Sequence, residues 1–99
     1  MHVIALKTLR QFWEKHAEAE QPLRDWHRMM ESKRYLTPHE LRQDFPSASF
    51  LGGEFTWFNI KPHGYRLATY IRYKKGRVYV VGVFTHDEYD QLSKVTWKF

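Results

Sequence analysis

The apolar positions of this chain change period near its middle, dividing it into a helical half and a β half. From Leu6 the spacing is helical: Leu6, Leu9, Trp13 and Ala17 lie on one stripe with Phe12 and His16 alongside, while Lys7, Arg10, Gln11, Glu14 and Lys15 face away. Leu23, Trp26, Met29 and Met30 recur at spacings of three and four, which predicts a second helix with Pro22 in its first turn, both methionines in the core, and His16 and His27 at its margin. The two make a helical hairpin with an apolar face to cover. Thr37-Pro38-His39-Glu40 offers a capping hydroxyl, a proline at the first helical position and a glutamate at the third, so a short third helix starts there and Pro46 stops it. Ser47 to Gly53 reads as a loop, with Gly52-Gly53 as its turn.

Past Gly53 the period becomes two. Glu54 to Ile60, Tyr65 to Tyr73 and Arg77 to Thr85 are rich in aromatic and β-branched residues, separated by turn signals at Pro62-His63-Gly64 and Lys74-Lys75-Gly76. They predict an antiparallel three-strand meander, joined by a short N-terminal strand at His2 to Ile4. In the middle strand Leu67, Thr69, Ile71 and Tyr73 share the face that meets the helices, and Arg66, Ala68, Tyr70 and Arg72 share the other. A tight turn at Lys75-Gly76 sets residues 65 to 67 opposite residues near 83 to 85, since antiparallel partners keep a nearly constant index sum. Arg66 is therefore expected beside Thr85 and His86. Thr85 followed by Glu88 is a second capping box; it starts a terminal helix from Asp87 to Lys94 that carries His86 and Tyr89 on one side. The fold class is α+β, an antiparallel sheet packed by an N-terminal helical hairpin and followed by a short C-terminal helix.

Composition narrows the picture. At 99 residues the chain suits one domain over 1–99, and 42% hydrophobic with 17% aromatic residues excludes a disordered tail. The absence of cysteine excludes disulfides, thiolate metal sites and thiol nucleophiles. Neither a signal-peptide core nor a run approaching the ~20 apolar residues of a membrane span occurs, so a soluble, cytoplasmic protein off the membrane is expected. Residues 1–60 hold eight Lys/Arg against eight Asp/Glu, so the whole net charge of +5 lies beyond them. Lys61, Arg66, Arg72, Lys74, Lys75 and Arg77 follow one another with no acid between, a pattern that attracts polyanions or forms a plain solvated basic face.

Such a face could serve RNA cleavage without metal or cofactor. There the ribose 2′-hydroxyl is the nucleophile, and the protein supplies a base, an acid for the leaving oxygen and positive charge. Histidine exchanges protons near neutrality, arginine grips phosphate at two points, and Tyr70, Tyr89 and Trp57 could stack on bases. Residue pattern alone also fits binding without cleavage. The six histidines show no metal-binding spacing, and Ser47 and Ser49 lack the context of an activated nucleophile.

The ordered segments MHVI, FWEKHAEAEQPLRDW, FPSASFLG, FNI followed by GYRL, and THDEYD resemble the HigB family of toxins, within the RelE/ParE-like superfamily of ribosome-dependent mRNA interferases. The resemblance runs almost end to end. It implies a RelE-like fold, cleavage of mRNA in the ribosomal decoding site, and neutralisation by a HigA-type helix-turn-helix antitoxin. Tyr65-Arg66-Leu67 is similar to the superfamily's YRL strand, whose arginine contacts the scissile phosphate. Tyr89 matches a C-terminal tyrosine used elsewhere in the superfamily, and His86 lies near where other members place an acid/base histidine or an arginine. RelE-type members carry two lysines on the preceding strand, where this chain has Trp57 and Asn59. Arg66, His86 and Tyr89 are thus the catalytic candidates, and Lys61, His63, Tyr70, Arg72, Lys74, Lys75 and Arg77 the RNA-binding ones. A non-catalytic RNA- or ribosome-binding module and a ParE-like topoisomerase inhibitor are the alternatives.

Overall fold

The structure, a computed structural model, describes residues 1–4, 6–52 and 54–92. Helix α1 (Leu6–Lys15) breaks at His16 into a 3₁₀ turn, Ala17–Ala19, and the chain returns as α2 (Glu20–Ser32). The break ends the first apolar stripe early, so Ala17 is exposed rather than part of it. Leu9, Leu23, Trp26 and Met30 pack with Phe58, Leu67, Ile71 and Val78 of the sheet. Met29, expected in the core, is 43% exposed while Met30 is fully buried. Adjacent helical positions are turned by about 100°, so one surface cannot cover both.

Helix α3 (Pro38–Asp44) begins at the expected cap, with the Glu40 amide donating to Thr37 Oγ1 at 3.2 Å. Its glutamate accepts from the amide of Leu36, 3.1 Å away, one residue before the cap. Asp44, at the helix end, accepts from both Lys33 and Tyr35 at 2.7 Å, which ties the exit of α2 to α3.

The sheet has five strands in the order β1-β5-β4-β3-β2. Strands β3 (Phe55–Ile60), β4 (Tyr65–Arg72) and β5 (Arg77–Phe84) form the expected antiparallel meander. Strand β1 (His2–Ile4) joins it alongside β5 in parallel, so the sheet is mixed. The Met1 ammonium fixes this placement by donating to the carbonyls of Met30 and Lys33 where α2 ends. The expected loop at Ser47 to Gly53 contains a strand, β2 (Ser49–Phe50), paired with β3. Two residues are too few for an alternation to be legible.

Register follows the index-sum expectation at first, with Arg66 opposite Phe84, Leu67 opposite Val83 and Ala68 opposite Gly82. It then slips by one, and Thr69 through Arg72 face Val80 back to Arg77. Val81 is the extra residue of a bulge. Because one residue is inserted, the alternation of β5 changes phase: Val78, Val80 and Val83 pack with the core, while Tyr79, Gly82 and Phe84 share the face of Arg66. The face away from the helices is therefore an ordered lattice of rows across the strands. Asn59, Arg66 and Phe84 form the first; Trp57, Ala68 and Gly82 the second; Phe55, Tyr70 and Tyr79 the third; Arg72 and Arg77 the fourth. The β4–β5 connection is a 3₁₀ turn, Tyr73–Lys75, closed by Gly76 at φ +66°. Arg34 reaches across to donate to the carbonyls of Tyr73 and Lys74, at 3.0 and 2.8 Å.

Candidate active site

The sheet face away from α1 and α2 is closed at one end by helix α4 (His86–Leu92). Its start is a complete capping box: the Thr85 amide donates to Glu88 Oε1 at 2.8 Å and the Glu88 amide to Thr85 Oγ1 at 3.2 Å. Residues 93 and 94 of the expected helix lie outside the described residues. The box fixes where the helix begins and hence which way Tyr89 points. The Tyr89 ring stands edge-on to Trp57, centroids 5.2 Å apart, and the Arg66 guanidinium lies 4.8 Å from its centroid. Phe84 covers Trp57 from a second side at 5.7 Å. With 4% of its surface exposed, Trp57 is the floor of the site and not the base-stacking surface its position in the sequence suggested.

Arg66 is half-buried, and among the described residues its Nε has no hydrogen-bond acceptor. Its cross-strand neighbour Asn59 likewise holds a buried Oδ1 without a donor. A buried polar atom left unpaired costs about 1–3 kcal/mol. In the sequence Asn59 departs from the lysine pattern of RelE-type members, and the strand register pairs it with Arg66.

His86 is exposed, with Nε2 3.3 Å from Asp90 Oδ2 one helical turn on. Its Cβ lies 4.0 Å from where a side chain would begin on Gly64, so α4 starts against the β3–β4 turn that carries the exposed Lys61 and His63. Arg66 pairs with Phe84, two residues before His86, one step from the expected neighbour Thr85. Tyr65, next to Arg66, turns to the opposite face and donates its hydroxyl to Glu18. That bond, with burial and the carboxylate charge, pushes the Tyr65 phenol up to about 12 and holds Glu18 below the usual carboxylate range. Tyr65 is thus a protonated strut beneath the site, flanked by Phe12 and His63 at centroid distances of 5.1 and 5.8 Å.

The basic residues expected as one RNA-binding group fall into two. Lys61 and His63 share the end of the sheet that holds Arg66, His86 and Tyr89. Arg72, Lys74, Lys75 and Arg77 lie at the other end of β4, about 20 Å away at ~3.3 Å per strand residue. The antiparallel turn carries the chain away from the site, which a linear charge run does not reveal. Arg72 is also engaged by Glu54 at 3.8 Å. Tyr70 lies between the two ends, edge-on to Phe55 at 4.8 Å. Among the described residues no group of three or more His, Asp or Glu side chains is placed to hold a metal ion, and no helix is long and apolar enough to cross a membrane.

A small mixed sheet packed by N-terminal helices and bounded by a short C-terminal helix is compatible with a RelE-like fold. Residues 19–92 match the HigB_toxin family, described as the RelE-like toxic component of a toxin-antitoxin system, and the chain belongs to that family. It is also similar to the mRNA interferase HigB of Escherichia coli O6:H1, 24% identical over 96 residues that cover 95% of this chain and 93% of the relative.

Proposed function

We propose that this toxin is an endoribonuclease that cleaves mRNA on the ribosome without a metal cofactor, acts in the cytoplasm as a single domain, and is held inactive by a HigA-type helix-turn-helix antitoxin. The observation that carries the reading is Arg66, whose guanidinium is stacked on Tyr89 and has a buried Nε without an acceptor. In the proposed reaction the ribose 2′-hydroxyl attacks the adjacent phosphorus, and its proton passes to a base. The bond to the 5′-oxygen breaks as that oxygen takes a proton from an acid, leaving a 2′,3′-cyclic phosphate and a 5′-hydroxyl. Arg66 holds the phosphate oxygens and stabilises the charge of the pentavalent transition state. His86, oriented by Asp90, serves as acid or base, and Tyr89 orients Arg66 or stacks on a base. Lys61 adds positive field from the neighbouring turn, where His63 can contact RNA, and Arg72 and Lys75 add theirs from the far end of β4.

Mapping the 5′ ends of ribosome-bound mRNA after brief expression tests this. The native chain should generate new 5′ ends within open reading frames, and Arg66→Ala should reduce them by about 10²- to 10³-fold, the usual cost of removing one preorganised charge donor. Growth arrest with intact transcripts would overturn cleavage and favour RNA binding alone. Cutting by Arg66→Ala at the native rate would overturn the site.

A further inference from the structure

We infer that the outer sheet face carries a second RNA subsite, a base-stacking platform formed by Tyr70 and Tyr79 and edged by Arg72, Arg77 and His2, which holds the single-stranded message as it leaves Arg66. The inference rests on the reading of Arg66 as the phosphate holder and extends it to residues that reading does not use.

The strand register places these residues. Tyr70 on β4 pairs with Tyr79 on β5 and with Phe55 on β3, whose ring it meets edge-on at 4.8 Å, and the Arg72 guanidinium lies 6.0 Å from the Tyr70 ring centroid. Tyr70 and Tyr79 are both partly exposed. The next row carries two arginines and a histidine: Arg72 pairs with Arg77, and Arg77 pairs in turn with His2 on β1, the last two exposed. Two acids lie at this edge, Glu54 on Arg72 at 3.8 Å and Glu31 within electrostatic reach of His2. Aromatic rings beside a line of cations suit a single strand, since every base has a face to stack and every linkage a charge, whereas a duplex hides its base faces. From Arg66 to Tyr70 is four strand residues, about 13 Å. That is roughly four stacked nucleotides at ~3.4 Å each, fewer if the strand is stretched. A strand held at both points is fixed in direction as well as position.

The bulge at Val81 makes the platform. With unbroken alternation Tyr79 and Phe84 would point to opposite faces; with one residue inserted they share a face, so the ring that covers Trp57 and the residue paired with Tyr70 lie along one surface.

The test measures binding of a ten-nucleotide single-stranded RNA to the full chain in an Arg66→Lys background, where the strand is retained long enough for measurement, by fluorescence anisotropy. Tyr79→Ala should weaken binding by about tenfold, and Tyr79→Phe should restore it because the ring is kept. Arg77→Ala, a change on the surface, should lower the salt dependence by about one phosphate contact. Equal affinity for Tyr79→Ala and its parent, or equal binding of an RNA duplex of the same charge, would overturn the platform and leave the Arg66 reading standing. Conversely, loss of ten-nucleotide affinity in Tyr79→Ala together with intact cellular transcripts would sink the cleavage reading and keep the platform. A photoreactive residue at position 79 on ribosomes should crosslink to the message; crosslinks confined to ribosomal RNA or to protein would overturn the assigned strand.

Discussion

The Arg66 guanidinium lies over the Tyr89 ring, and among the described residues its Nε has no acceptor. Arg66→Lys keeps the charge but gives up the planar fork, so cleavage should fall nearly as far as in Arg66→Ala; 5′-end mapping with both variants separates charge from geometry. Two glycines are fixed by equally local causes. Gly76 has φ +66°, and an added Cβ would stand 2.8 Å from the Arg34 guanidinium. Gly76→Ala should therefore cost about 1–2 kcal/mol in urea unfolding, the penalty of a left-handed backbone, with more if Arg34 releases the turn carbonyls. At Gly82 a Cβ would meet the far end of the Phe84 ring at 2.9 Å. That ring can swing aside, so Gly82→Ala should leave unfolding within about 1 kcal/mol of the parent yet depress cleavage, because Phe84 covers Trp57, against which Tyr89 rests.

Among the elements, α4 depends most on its cap. Seven residues form a helix too short to persist alone, so its position rests on the Thr85–Glu88 box and the Tyr89–Trp57 contact. Thr85→Ala should cost about 1 kcal/mol locally. Hydrogen exchange should show early opening confined to α4, with cleavage reduced and global unfolding little changed. This helix start was legible in the sequence because a capping box is a local device, written in residues three apart. The meander and the faces of β4 were legible for the same reason, since alternation at period two is local. The phase of β5 was not: RVYVVGVF gives no local sign of which residue is extra, because the slip is defined by the partner strand. The parallel pairing of β1 is likewise a matter of where α2 ends and what anchors Met1. At the candidate site register brought Arg66 to within one residue of its partner, Phe84 in place of the expected Thr85, and the cap brought in Tyr89, while the separation of Lys74, Lys75 and Arg77 from Arg66 was hidden by their closeness along the chain.

For the molecule as a whole, titration should limit stability at both ends of the pH scale. The Lys33 ammonium, then the Tyr35 hydroxyl, hold the Asp44 carboxyl below its ordinary value; its contribution is present above the unfolded pKa and fades as pH falls through the folded one. Glu18, hydrogen-bonded by Tyr65, and Glu31, hydrogen-bonded by the Val3 amide, behave alike. Urea midpoints should therefore drop as pH descends below about 4, and Asp44→Asn should flatten that limb while lowering stability at neutral pH. The alkaline side has the opposite sign. Tyr65, raised to about 12, contributes most below the unfolded value near 10 and progressively less as pH climbs from there to 12. Tyr65→Phe should weaken the protein at pH 7, where the bond to Glu18 is lost, and shrink its sensitivity to alkali.

The bulge at Val81 gives β5 one spare residue, and β4 has none. A substitution at this 39%-exposed position changes one surface side chain and should be tolerated. Deleting the residue lets Gly82 follow Val80 directly, which keeps every pairing with β4 and leaves Tyr79, Gly82 and Phe84 on the face of Arg66. Deleting a paired residue in the middle of β4 instead moves all that follows it to the opposite face. A scan of single-residue deletions, read by growth arrest on induction, should therefore find position 81 tolerant to loss and positions 67–71 intolerant; arrest abolished by loss of position 81 would show that the bulge itself is required.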